Sequence, residues 1–330
     1  MKNIIFYTEG GVKLGLGHIY RTLSLADQLK KNADITFLTT SGIIEINKIK
    51  EKDFPVFSFK DSIEIEKKIL ELTPDILIID KLEVDPDFCK RIKNHFGPKI
   101  IIFGNTSSAN DYADVVVNAI IGTNYSNKSH IDPKTNTQYL QGPRYLVLRD
   151  EFYNSKKLYK YKKDLKRIIL LFGGSDQANL TTNVLTELLK MNHEFQIDVI
   201  LGNRFSFHSE LNQLLTIFPE KKNSVRIYSD VKDIAMRMNN SDLIITSPGT
   251  TMFEACYLRV PAIALCQNQY QIDMNKDFKL AYDFTDIKDF EKFIYNFYHN
   301  YEKEKSYLKK LQFGEGKNEI IQSILTEGIK

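Results

Sequence analysis

The stretch Asn3-Ile4-Ile5-Phe6-Tyr7-Thr8-Glu9-Gly10-Gly11-Val12-Lys13-Leu14-Gly15-Leu16-Gly17-His18 decides the fold. Its first five residues are an apolar run of strand length, and beyond the glycines Ile19, Leu23, Ala26 and Leu29 recur at helical spacing. The pattern predicts a strand, a tight turn and a helix. Glycines in such a turn let the backbone approach a ligand, and the first amides of the helix offer N–H groups and a positive dipole end to an anion. His18 stands at the mouth of the turn. An imidazole titrates near pH 6.5, about where a general base for neutral solution should. The turn is no dinucleotide fingerprint, because Gly15 and Gly17 lack a third glycine at the required offset. A capping or core histidine is the competing reading, and the loops further along decide between the two.

Outward from this turn, strand-length apolar runs alternate with amphipathic stretches: Asp34–Thr39, Asp75–Asp80, Lys99–Phe103 and Val115–Asn118. Continuous rather than alternating hydrophobicity suits strands buried on both faces, as in a parallel sheet covered by helices. Ligands of such sheets gather beyond the carboxyl ends of the strands, where Gly15 to His18, Asp80, Gly104, Asn105 and Asn118 would fall. The basic, tyrosine-rich run at 156–163 reads as a solvated break between domains. After it the pattern repeats at Arg167–Phe172, Gln196–Leu201, Val225–Tyr228, Leu243–Thr246 and Ala262–Leu265. Residues 289–325 read as one or two amphipathic helices.

A chain of 330 residues is long enough for two domains with separate cores. With 42% hydrophobic and 26% charged residues it is neither disordered nor fibrous. Lysine and arginine number 45 against 42 acidic residues, a balance that does not call for nucleic acid. Cys89, Cys256 and Cys266 lack the paired spacing of a zinc site and read as buried thiols. With neither a bilayer-length apolar run nor a signal-peptide layout, the expected location is the cytoplasm.

Two further loops carry chemistry. Phe172-Gly173-Gly174-Ser175-Asp176 follows a strand and precedes a helix starting near Asn179-Leu180-Thr181, an arrangement that cradles phosphate or simply turns tightly. Ser247-Pro248-Gly249-Thr250-Thr251 ends another strand and opens a helix, so hydroxyls and free amides collect where a diphosphate could be held. Glu254 follows one turn later; its carboxylate suits a ribose diol or, alternatively, a capping arrangement.

Taken in order, Gly15-Leu16-Gly17-His18 with Arg21, Gly142-Pro143-Arg144-Tyr145, Phe172–Asp176, Pro248–Thr251 with Glu254, Asn268-Gln269 and Gly314-Glu315-Gly316 resemble the PseG/SpsG family of nucleotide-sugar hydrolases. That family is itself similar to GT-B glycosyltransferases of the MurG type. The resemblance implies an α/β chain of two Rossmann-like domains with parallel sheets facing a cleft: residues 1–155 on the sugar side, a linker at 156–166, and a nucleotide domain over 167–330 that includes the terminal helices. It implies His18 as the catalytic base. Gly17, Gly173, Gly174, Ser175, Ser247, Gly249, Thr250, Thr251 and Glu254 would bind the nucleotide and diphosphate, and Arg21, Asp80, Asn105, Asn268 and Gln269 would lie toward the sugar. The expected reaction is metal-independent, inverting hydrolysis of a UDP-linked amino or deoxy sugar at the anomeric carbon, in nonulosonic acid synthesis of the pseudaminic type for surface glycans. No cofactor, metal or nucleic-acid partner is expected. The alternatives are a GT-B glycosyltransferase using a UDP-sugar, with peripheral membrane contact, and a nucleotide-sugar-binding homologue without turnover. Departures from the family pattern fall at Lys81, Leu82, Phe103, Gly104 and Gln267, read here as strand ends of the sugar-facing half.

Overall fold

The computed structural model describes residues 1–11, 16–119, 126–155, 162–276 and 278–326. The chain forms two compact units, Met1–Arg149 with Gly314–Lys330, and Asp150–Phe313.

In the first unit, β1 (Lys2–Thr8), α1 (Gly17–Leu29), β2 (Ala33–Thr39), α2 (Ile43–Lys50), β3 (Val56–Ser58), α3 (Ser62–Leu72), β4 (Ile76–Asp80), α4 (Pro86–Phe96) and β5 (Lys99–Phe103) alternate. After them come β6 (Val115–Asn118), β7 (Lys128–Ile131) and β8 (Gln138–Gln141). The sheet runs β3-β2-β1-β4-β5-β6-β8-β7 and is parallel except where β7 meets β8. Alternate side chains of β1 feed two separate cores. Ile4 and Phe6 pack with Ile19, Leu23 and Leu25 on one face, while Ile5 and Tyr7 pack with Ile65, Ile69, Phe88 and Ile92 on the other. This two-sided burial is why the strands read as unbroken apolar runs.

The second unit holds α5 (Asp150–Asn154), β9 (Arg167–Leu171), α6 (Leu180–Lys190), β10 (Gln196–Leu201), α7 (His208–Ile217), β11 (Val225–Ser229) and α8 (Ile234–Asn240). It continues with β12 (Leu243–Thr246), α9 (Thr250–Leu258), β13 (Ala262–Cys266), α10 (Gln269–Asn275), β14 (Ala281–Asp283) and α11 (Phe290–Leu311). Its sheet runs β11-β10-β9-β12-β13-β14, parallel throughout. In both sheets the strand order reverses beside the first strand, between β1 and β4 and between β9 and β12. At such a reversal the flanking loops diverge and leave a crevice at the carboxyl edge.

Two boundaries differ from the sequence expectation. The first unit ends at Arg149 rather than 155. Of the expected linker, 156–161 lies outside the described residues, and the rest is tied into the second unit. There the Lys162 ammonium lies 2.5 Å from the buried Asp242 carboxylate, which also accepts the Lys166 amide at 3.0 Å. The second correction is the tail. Helix α12 (Lys317–Leu325) belongs to the first unit, because Ile320 and Ile324 complete its core. Lys2 and Lys99 close the helix by donating to the carbonyls of Leu325 and of Ser323 and Thr326, cations at the negative end of the dipole. The short strands β3, β7, β8 and β14, three or four residues each and partly exposed, add to the strands expected from the apolar runs. All three cysteines are buried thiols, and burial pushes the Cys89 thiol up to about 12. Among the described residues no helix is long and apolar enough to cross a membrane.

Candidate functional site

The strand reversal of the first unit brings together the start of α1 and the end of β4. His18, the second residue of α1, points Nδ1 at Asp80 Oδ1, 2.6 Å away. Asp80 is the last residue of β4 and is 0% exposed. Arg21, one turn after His18, grips the same carboxylate with Nε 2.6 Å from Oδ2 and Nη2 2.5 Å from Oδ1. The Arg21 guanidinium also lies over the Phe103 ring at 5.5 Å. Burial opposes the charge on Asp80, but Arg21 and then His18 outweigh it and hold the carboxyl below its ordinary range. A charged Asp80 only accepts hydrogen bonds, so in the neutral ring Nδ1 carries the proton and Nε2 the lone pair. The arrangement fixes the orientation of the imidazole.

Arg21 and Asp80, expected toward the sugar, therefore serve His18 instead. Asn105 is also buried: its Nδ2 donates to Ser107 Oγ at 3.0 Å and Asn110 Oδ1 at 2.8 Å, and its carbonyl accepts from Asn118 at 2.8 Å. It knits the loop after β5 and is not displayed to a ligand. Gly17 opens α1, whose N-terminus has no side-chain cap and no acidic residue in its first turn. Val12 to Gly15 lie outside the described residues.

In the second unit the loops after β9, β12 and β13 lie along the carboxyl edge of one parallel sheet. Helix α9 begins at Thr250 behind Gly249 without a side-chain cap, and a Cβ built at Gly249 or Gly173 would meet nothing within 4 Å. Gly249 thus borders open space, with Thr250 exposed and Thr251 half-buried after it. Helix α6 differs, because the buried Asp176 accepts the amides of Leu180 at 2.9 Å and Thr181 at 2.8 Å. Its N-terminus is already capped by the Asp176 carboxylate. Glu254 is 2% exposed and is engaged within the protein. Asn268 caps α10 by accepting the Gln271 amide at 2.9 Å, and Gln269 donates to Asp273 at 2.9 Å.

Gln267 lies in this second unit, not in the sugar-facing half. Its Nε2 donates to the Phe172 carbonyl at 3.0 Å and to Ser247 Oγ at 2.8 Å, joining the ends of β9 and β12. A charged glutamate, an acceptor only, could not donate to the Phe172 carbonyl. With its oxygen accepting from Gln267, Ser247 keeps its proton for another acceptor. Gly202, which sequence reasoning missed, follows β10 and packs under the glycine loop: a Cβ there would stand 2.2 Å from the Gly173 carbonyl oxygen. Its only sequence signal was a glycine directly after a strand. The Gly142–Tyr145 and Gly314–Gly316 motifs also prove to be partners, with the Gly314 amide donating to Pro143 at 3.0 Å and the Gly316 amide to Arg144 at 2.7 Å.

Residues 168–283 match the glycosyltransferase family 28 C-terminal domain. Over 328 residues the chain is 42% identical to the uncharacterized protein MJ1062 of Methanocaldococcus jannaschii, covering 97% of this chain and 66% of that protein, just under two thirds of its length. It is 27% identical to the spore coat polysaccharide biosynthesis protein SpsG of Bacillus subtilis (82% of this chain, 79% of SpsG). It is 28% identical to a UDP-2,4-diacetamido-2,4,6-trideoxy-beta-L-altropyranose hydrolase of Campylobacter jejuni (80% and 91%). Among solved structures, Acinetobacter baumannii MurG superposes with a TM-score of 0.69 at 14% identity, covering 98% of this chain and 99% of MurG. Anabaena HepE in complex with UDP gives 0.57 at 11% identity, covering 98% and 95%. Sequence and fold agree: the chain is a homologue of SpsG and of the UDP-diacetamido-trideoxy-altropyranose hydrolase, and its fold is the GT-B fold seen in MurG.

Proposed function

We propose that the chain hydrolyses a UDP-linked amino or deoxy sugar at its anomeric carbon for surface-glycan synthesis. The observation that carries this reading is the buried Asp80, which fixes the His18 tautomer so that Nε2 is left as the base. In the proposed reaction Nε2 takes a proton from water as the water oxygen bonds to the anomeric carbon. The bond from that carbon to the diphosphate breaks with its electron pair, UDP departs, and the sugar is released with inverted configuration. Ser247, the amides at Gly249, Thr250 and Thr251, and the Gly173–Ser175 backbone would hold the diphosphate, meeting its charge without a metal. Glu254, Asn268 and Gln269 would serve the ribose and sugar once ligand displaces their present contacts. Relatives bearing hydrolase and polysaccharide-biosynthesis names support this reading.

UDP release from UDP-sugars, with acceptor omitted and EDTA present, tests the proposal. Release that collapses in His18→Ala while UDP binding persists is expected; no release by the parent from any UDP-sugar counts against it. One observation favours the transferase reading, in which Nε2 deprotonates an acceptor hydroxyl. Ile43, Ile63 and Leu82 are 66%, 64% and 57% exposed where the first unit's chain leaves its strands, an apolar fringe suited to a lipid-linked acceptor at a membrane surface. Release of UDP only when acceptor is supplied would establish that reading.

A further inference from the structure

Beside the His18–Asp80 pair, on the opposite face of the first sheet, lies a cavity of about 640 Å³ lined by Tyr7, Glu9, Ile63, Lys81, Leu82 and Phe88 among others. It opens at the same strand ends as the pair: Lys81 follows Asp80, and the Glu9 amide donates to the Asp80 carbonyl at 3.3 Å. Within it three side chains lock together. The Tyr7 hydroxyl donates to Glu9 Oε1 at 3.0 Å and accepts from the Lys81 ammonium at 2.8 Å, and that ammonium lies 2.9 Å from Glu9 Oε1. Thr40 also donates to Glu9 Oε1, at 3.2 Å. All of these bonds use one carboxylate oxygen. Among the described residues, Glu9 Oε2 remains as an acceptor and the third ammonium N–H of Lys81 as a donor, on half-buried groups joined by one ion pair.

We propose that Glu9 and Lys81 form a subsite for a vicinal diol, so that the sugar carries two adjacent free hydroxyls. Neighbouring ring hydroxyls stand about as far apart as this carboxylate and ammonium: one donates to Glu9 Oε2 and the other accepts from Lys81, both as charge-assisted bonds. Tyr7 holds the pair in place, which lowers the entropy lost on binding. Ile63 and Leu82, exposed on the rim, offer apolar surface to the C–H face of a pyranose. A sugar substituted at positions 2 and 4 and deoxygenated at 6, as in the name of the Campylobacter jejuni relative, has no adjacent hydroxyls and would leave this pair unmatched. The site thus selects sugars with a free vicinal diol, such as the 3,4-diol of the 2-acetamido hexoses. Lys81, a departure from the family pattern, becomes the specificity-determining residue.

This inference rests on the UDP-sugar reading, and one titration series separates the two. UDP, UDP-N-acetylglucosamine, UDP-N-acetylgalactosamine and the UDP-2,4-diacetamido-trideoxy sugar are titrated calorimetrically into the full chain and into Lys81→Met and Glu9→Gln. At least one of the diol sugars is expected to bind about tenfold or more tighter than the diol-free sugar. Each variant should erase that gain while leaving UDP affinity unchanged. Equal or tighter binding of the diol-free sugar, or a gain that survives in both variants, overturns the diol subsite alone. Failure of UDP itself to bind overturns the nucleotide-sugar reading, and the subsite with it.

Discussion

His18 Nδ1 and Asp80 Oδ1 stand 2.6 Å apart, with Arg21 closing on the same carboxylate through both of its oxygens. A fully buried acid therefore sets which nitrogen of a partly exposed imidazole is free. Asp80→Asn tests that role: its amide can donate to Nδ1, which shifts the imidazole proton to Nε2 and removes the base. Turnover is expected to fall about 10²–10⁴-fold while UDP affinity, assigned to the other unit by the proposed function, holds within about twofold. A near-parental rate in Asp80→Asn would show that Asp80 serves stability alone.

The same carboxylate gives a pH signature. Burial raises the pKa of Asp80, but Arg21 and His18 lower it further, so the folded value lies below the ordinary 3.8. A depressed acid stabilises the fold at pH values above its unfolded pKa, and that contribution is lost as pH falls through the folded value. In urea unfolding, the difference in stability between parent and Asp80→Asn should be full at pH 6 and shrink below about pH 4. A difference constant down to about pH 2 would contradict the charged pair.

At Gly202 the prediction is steric. A methyl group would fall 2.2 Å and 2.3 Å from the Gly173 and Gly174 carbonyl oxygens, so Gly202→Ala must push the glycine loop away from the edge of β9. Isothermal titration should show UDP binding weakened about tenfold or more, with a stability loss of about 1–3 kcal/mol. Unaltered UDP affinity would remove the Gly173–Ser175 loop from the nucleotide site.

Because α12 completes the first core, Ile320→Ala should cost that unit about 2–5 kcal/mol. Chemical denaturation followed by hydrogen exchange would show amides of β1 and β4 losing protection while those of β9 and β12 keep theirs. Loss confined to β9 and β12 would refute the assignment of the tail.

The strands that carry the site were legible because burial on both faces leaves an unbroken apolar run, as in Ile76–Asp80. His18 was legible from its place after a glycine turn. The bond that orients it was not, because 62 residues separate it from Asp80 and only the parallel pairing of β1 with β4 brings the two together. Asp80 stands out as a strand-end residue, but nothing in its sequence neighbourhood distinguishes a ligand contact from a partner for histidine. Gln267 misleads for the same reason: its meaning is two bonds to residues 95 and 20 positions away. The tail packs on the other unit than its sequence position suggests, because amphipathicity records that a helix packs, not against which sheet.

The most direct test of water activation at the anomeric carbon is turnover of a UDP-sugar in ¹⁸O-labelled water, without acceptor, followed by mass spectrometry of both products. The account predicts label on the sugar's anomeric hydroxyl, none on UDP, and loss of that labelling in His18→Ala with UDP binding retained. Label on UDP, or turnover that His18→Ala leaves intact, would contradict it.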